Sequence, residues 1–180
     1  MSAHPRYGLL AALGAIRCDH FSEKYCDAEL QARIAILRAT GARVGQIRVL
    51  TRFAWDGEGL TVERAKGGRK VRYTGPVLKK TIESMLAERK GKRSKSEYLF
   101  PNRSGRMYTG DGWRTGWQRA MAEYEADGHE RFQERDIRAK VASDSETLIE
   151  ANERLGHQST STTKQIYRRG VVNVSELKKK

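Results

Sequence analysis

A chain of 180 residues has room for one domain with a proper core and not for two large ones. With 38% hydrophobic and 32% charged residues it reads as globular with a polar surface, and its net charge of +13, from 35 Lys and Arg against 22 Asp and Glu, points to a polyanionic partner. Each phosphate neutralised by such a surface releases a condensed counterion, which is the main source of nucleic-acid affinity. No window approaches the roughly 20 apolar residues that span a bilayer. The apolar stretch from Gly8 to Ile16 is short and leads into an acidic and aromatic segment, unlike a signal peptide, so a cytoplasmic protein is expected. Cys18 and Cys26 fit reduced thiols. Together with His20 they do not complete a tetrahedral set, so neither a metal nor another cofactor is expected.

In chain order, Tyr7 to Arg17 is rich in Ala and Leu and predicts a short helix. A second helix begins after Asp27, a suitable N-cap, and aligns Leu30, Ile34 and Leu37 on one face before Gly41 ends it. A short helical piece covers Val44 to Leu50. The period then changes to two: Leu60 and Val62 alternate with Thr61 and Glu63, and Val71 and Tyr73 with Lys70 and Arg72, as in half-buried strands. Asp56-Gly57 and Gly67-Gly68 supply the turns that flank the first strand. Pro76 suits the first turn of a helix with Leu78, Ile82, Met85 and Leu86 on its apolar face. Arg89 to Lys95 reads as a basic loop, Tyr98-Leu99-Phe100-Pro101 as a third short strand, and Asn102 to Gly112 as loop.

Trp113, Trp117 and Met121 recur every four residues, which marks a core stripe rather than a base-stacking platform. Two helices follow, around Asp136 to Ala142 and Glu146 to Arg154. Ser143 with Glu146 suggests a capping box for the second, whose inner face is Leu148, Ala151 and Leu155, and Gly156 is a natural stop. Lys178-Lys179-Lys180 reads as a basic tail. The fold class is therefore α+β, mostly helical, with a small three-stranded antiparallel sheet.

Several short motifs stand along this framework: Thr40-Gly41-Ala42-Arg43, Ala65-Lys66-Gly67-Gly68, Arg135-Asp136-Ile137-Arg138, Leu155-Gly156-His157, and Tyr167-Arg168-Arg169 after Thr162-Thr163. Taken in this order they resemble the catalytic signature of the tyrosine recombinases, the phage integrase family, over about Thr40 to Arg169. The resemblance implies a tyrosine-recombinase-like catalytic domain over residues 1–175 with a tail at 176–180, and no core-binding or arm-binding domain ahead of it. It also implies an enzyme of site-specific DNA recombination, integrating or excising phage or mobile DNA, with Tyr167 as nucleophile. The catalytic set would be Arg43, Lys66, Arg138, His157 and Tyr167, without metal. Arginine offers a planar fork of donors for phosphate oxygens, and a lysine crowded by other cations gives up its proton to a leaving oxygen.

Two departures from the family pattern stand out. Arg135 occupies the usual histidine position and, having no accessible neutral form, is unable to act as a base. Gln46 stands where an Asp or Glu usually follows the first arginine. The resemblance further implies DNA contacts from Arg69, Lys70, Arg135, Lys140, Arg168 and Arg169, double-stranded DNA as partner, and assembly as a homo-oligomer, a tetramer, on it. The location implied is the nucleoid of a bacterial or phage-infected cell. A non-catalytic DNA-binding relative and a type IB topoisomerase-like enzyme are the alternatives.

Overall fold

The computed structural model describes residues 15–63 and 70–156, with side chains from residue 20 onward. Helix α1 (Ala15–Tyr25) leads into α2 (Ala28–Thr40) and the short α3 (Val44–Arg48). Strands β1 (Gly59–Glu63) and β2 (Lys70–Thr74) pair antiparallel. Helices α4 (Pro76–Ala87), α5 (Gly110–Ala126), α6 (Glu134–Asp144) and α7 (Leu148–Leu155) follow. The architecture is α+β and mostly helical. No helix among the described residues is long and apolar enough to cross a membrane.

Helix α2 lies at the centre, in contact with α1, α3, α4 and α6. Its limits follow from local chemistry. The Asp27 carboxylate accepts from the Leu30 N–H at 2.8 Å, satisfying one of the orphan donors of the first turn. At the other end Gly41 takes a left-handed φ of 58°, and its N–H donates to the Leu37 carbonyl at 2.8 Å. Leu30, Ile34, Ile36 and Leu37 are buried along the helix. The Trp113, Trp117 and Met121 stripe of α5 is core, as its spacing predicts.

Helix α1 differs from the sequence expectation. It runs on through Tyr25, past the predicted end at Arg17, because Phe21 and Tyr25 fall one turn apart and both meet aromatic partners. Phe21 is packed among Trp117, Tyr124 and Phe132, with ring centroids 5.0 to 5.2 Å away; such edge and tilted contacts fix the docking of α1 on α5. The predicted start at Tyr7 lies outside the described residues. Cys26, just after α1, is buried, and burial pushes its thiol up to about 12. It is chemically quiet near neutral pH.

Two further expectations are corrected. Among the described residues the sheet has two strands, with Leu60 opposite Tyr73 and Glu63 opposite Lys70. The segment from Tyr98 pairs instead with residues 50–52: the Leu99 N–H donates to the Leu50 carbonyl and the Arg52 N–H to the Glu97 carbonyl, both at 2.7 Å. A 3-10 turn at Arg52–Ala54 interrupts that partner, so the pairing ends as the isolated bridge Thr51–Tyr98. The cap of α7 is the second correction. Helix α6 runs on to Asp144, Ser143 donates to its own helix at the Ala139 carbonyl, and the capping pair is Thr147 and Glu150. Thr147 Oγ1 accepts from the Glu150 N–H at 3.0 Å.

Candidate active site and nucleic-acid interface

Among the described residues, the motifs of Arg43, Arg138 and Leu155-Gly156 fall at the ends of elements, and the fold draws those ends together. Gly41 closes α2 two residues before Arg43. Gly156, also left-handed at φ 61°, closes α7 directly before His157 in the sequence. Between them lies Arg138 of α6, buried at 6% exposure. Its guanidinium donates to the Gly41 carbonyl through Nη1 and to the Leu155 carbonyl through Nη2, the latter at 2.9 Å. Both acceptors belong to helix C-termini, where unpaired carbonyls concentrate negative charge. A buried guanidinium is tolerated only with such partners, and a planar fork reaches two of them at once.

The junction is closed by close packing as well as by charge. A Cβ at Gly41 would sit 2.8 Å from Leu155 Cδ2 and 3.0 Å from Val141 Cγ1, so only glycine meets both the backbone angle and the space. Three bonds that sequence reasoning missed complete the stitching. Arg154 donates through Nη1 to the Ala39 carbonyl at 3.3 Å and through Nη2 to Glu150 at 3.1 Å. The Tyr73 hydroxyl of β2 donates to the Arg154 carbonyl at 2.5 Å. Tyr73 thereby fastens the hairpin to the last turn of α7.

Arg43 itself is exposed. It shares a groove of about 1000 Å³ with Gln46, Val49, Phe53, Glu63 and Lys70, so the structure brings Arg43 and the predicted DNA contact Lys70 to one surface. Gln46 is buried and forms the wall between them: its side-chain oxygen accepts from the Arg43 N–H at 2.9 Å, and its amide donates to the Glu63 carbonyl at 2.7 Å. Arg135 is exposed near the start of α6, one turn before Arg138. Lys140 is held elsewhere. It pairs with Asp144 and lines a separate cavity of about 640 Å³ with Arg38, Glu150 and Arg154. Lys66, Arg69, His157, Tyr167, Arg168 and Arg169 lie outside the described residues.

Elsewhere in the core sits a second buried polar group without a sequence signal beyond its residue types. Arg33, in the middle of α2, stacks on Trp113 with its guanidinium carbon 3.8 Å from the ring centroid. It pairs with Glu29, which also binds Arg93 at 3.1 Å. Glu134, the first residue of α6, is buried nearby with its Oε1 lacking a hydrogen-bond partner among the described residues. Burial pushes its carboxyl up to about 7, against the opposing pull of Arg33 and the Trp113 indole.

The structure thus gathers the segments of Arg43 and Arg138 around two helix ends. The sequence model of the phage integrase family matches residues 17–172. The chain belongs to the phage integrase family. Solved structures of similar fold include XerA recombinase, at 20% identity and TM-score 0.70, covering 88% of this chain and 59% of that one. A lambda integrase dimer bound to a COC′ core site matches at 19% identity and TM-score 0.63, covering 91% of this chain and 49% of its own. The Tn1549 transposon integrase in complex with circular intermediate DNA matches at 16% identity and TM-score 0.70, covering 88% and 61%. This integrase-family chain thus spans less than two thirds of each of these proteins. No match is found among curated proteins.

Proposed function

We propose that this chain is the catalytic domain of a tyrosine recombinase, over residues 1–175, that cleaves and rejoins double-stranded DNA in site-specific recombination. The single observation that supports this most is the Arg138 clamp on the Gly41 and Leu155 carbonyls. It ties together segments 97 and 17 residues from Arg138, each leading into a predicted catalytic residue.

In the proposed reaction the Tyr167 phenol oxygen attacks the scissile phosphorus and the P–O5′ bond breaks. This leaves a 3′-phosphotyrosyl ester and a 5′-hydroxyl. Arg43, Arg138 and His157 hold the non-bridging oxygens of the pentavalent state, where fixed donors act most strongly because charge is developing there; for Arg138 this requires its guanidinium to turn part of its fork from the Gly41 and Leu155 carbonyls toward the phosphate. Lys66 gives its proton to the departing O5′. Since Arg135 has no basic lone pair, the phenolic proton passes to a phosphate oxygen or water, and Arg135 adds positive field. The reverse attack by another strand's 5′-hydroxyl rejoins DNA without a cofactor, because the ester keeps the energy of the broken bond.

Backbone contacts are assigned to Arg69, Lys70, Arg135, Lys140, Arg168 and Arg169; for Lys140 this requires release from Asp144. The lambda integrase dimer on its core site supports assembly on DNA, for which we propose a homotetramer. A duplex nicked just downstream of the scissile phosphate traps the covalent intermediate. Accumulation of an adduct that disappears in Tyr167→Phe supports the reading; DNA binding without any adduct favours a non-catalytic relative. Relaxation of supercoiled DNA without strand exchange favours a topoisomerase-like enzyme.

A further inference from the structure

We propose that Gln46 is a positioning residue that locks Arg43 to the base of the β1–β2 hairpin, whose connecting segment carries Lys66 in the sequence; the role rests on the cleavage reading above. Arg43 is the N-cap of α3, and Gln46 at the third helical position returns its side-chain oxygen to the Arg43 N–H at 2.9 Å. That half of a capping box is available to glutamate as well. The second bond of Gln46 is not. Gln46 Nε2 donates to the carbonyl of Glu63 at 2.7 Å, and Glu63 is the last residue of β1, paired in register with Lys70 at the start of β2.

Only a side chain that accepts and donates from one planar group spans the two backbones, as an amide does and an ionised carboxylate does not. Gln46 therefore couples the exposed Arg43 to the strand pair from which the Lys66 segment departs. It does so from a buried position, at 8% exposure, where losing the donor leaves the Glu63 carbonyl unpaired and moves the hairpin relative to Arg43. Arg43, Glu63 and Lys70 are the charged residues that share the groove wall with it. The carboxylate expected at this position from the family pattern would meet the Glu63 carbonyl oxygen as one acceptor against another. Amide and hairpin contact thus belong together in this chain.

The test is single-turnover adduct formation on the nicked duplex between pH 5 and 8, at saturating DNA, with the full chain and its Gln46→Ala and Gln46→Glu variants. Gln46→Ala is expected to slow cleavage on the order of tenfold at every pH, the scale of a small misplacement at a reacting centre, with DNA affinity retained. Gln46→Glu is expected to match Gln46→Ala at pH 8 and to recover toward the wild-type rate at pH 5. Protonation there restores a donor to the side chain. A Gln46→Glu rate equal to wild type at pH 8, or a deficit that does not change with pH, overturns the proposal. If the wild type itself forms no adduct, the cleavage reading fails, and the bridge is then read from hydrogen exchange. Protection of the β1 and β2 amides, corrected for intrinsic exchange, is expected to fall in Gln46→Glu at pH 8, where the donor to the Glu63 carbonyl is lost, and return at pH 5. Unchanged protection overturns it.

Discussion

Glu134 offers a quantitative test of how α6 is held. Its carboxyl is buried, one oxygen lacks a partner among the described residues, and its pKa rises from 4.5 to about 7. A group whose proton is bound more tightly in the folded state favours folding while protonated. Stability is therefore full below pH 4.5, declines as the unfolded chain ionises first, and levels off above pH 7. At about 1.4 kcal/mol for each pH unit between the two values, the ionised carboxylate costs the fold about 3 kcal/mol at pH 8. Glu134→Gln removes the titration and keeps an acceptor near the Trp113 indole. Urea denaturation at pH 5, 6, 7 and 8 is expected to show the variant gaining stability over wild type as pH rises, by about 3 kcal/mol at the top of the range, with unchanged m-values. An advantage that is constant with pH, or a variant less stable at pH 8, would refute the account of this buried carboxyl.

Other predictions concern the junction itself. Gly41→Ala forces a Cβ into Leu155 and Val141 at a left-handed backbone angle, and is expected to cost about 3 kcal/mol in urea denaturation; a loss below 1 kcal/mol, on the order of a solvent-exposed helix substitution, would contradict the close packing. Arg138→Lys leaves one of two buried carbonyls without a donor and is expected to lose about 2 kcal/mol of stability together with adduct formation. Wild-type stability in that variant would show that the fork is dispensable. Tyr73→Phe removes the bond to the Arg154 carbonyl and is expected to lower stability by about 1 kcal/mol, with increased exchange of the β2 amides; an unaltered exchange pattern would argue against hairpin anchoring.

The parts of this fold that were legible from sequence are those decided within a few residues. Asp27 and Gly41 bound α2, Pro76 opens α4 and Gly156 closes α7 because each acts on its own turn of backbone. Trp113, Trp117 and Met121 announce a core by spacing alone. What escaped depends on partners far away in the chain. Tyr98 reads as a strand residue, yet its pairing is decided by the 3-10 turn that interrupts residues 50–55. Arg33 carries no sequence signal of its place in the core, and only the fold reveals that it stacks on Trp113. Arg43 and Arg138 were recognisable by motif, but the means of bringing them together was not. That depends on carbonyls at two helix ends, which carry no sequence signature. Gln46 appeared as a departure from a pattern; its geometry gives the departure a use.

The central claim is that Tyr167 attacks DNA at a site organised by Arg43 and Arg138. Its most direct test is covalent adduct formation on a nicked duplex containing a cleavable site, resolved by denaturing electrophoresis and mapped by mass spectrometry of the linked peptide. The account predicts an adduct on Tyr167, absent in Tyr167→Phe and strongly reduced in Arg138→Lys, with a free 5′-hydroxyl on the released strand. A chain that binds this DNA and yields no adduct, or one linked through another residue, would contradict it.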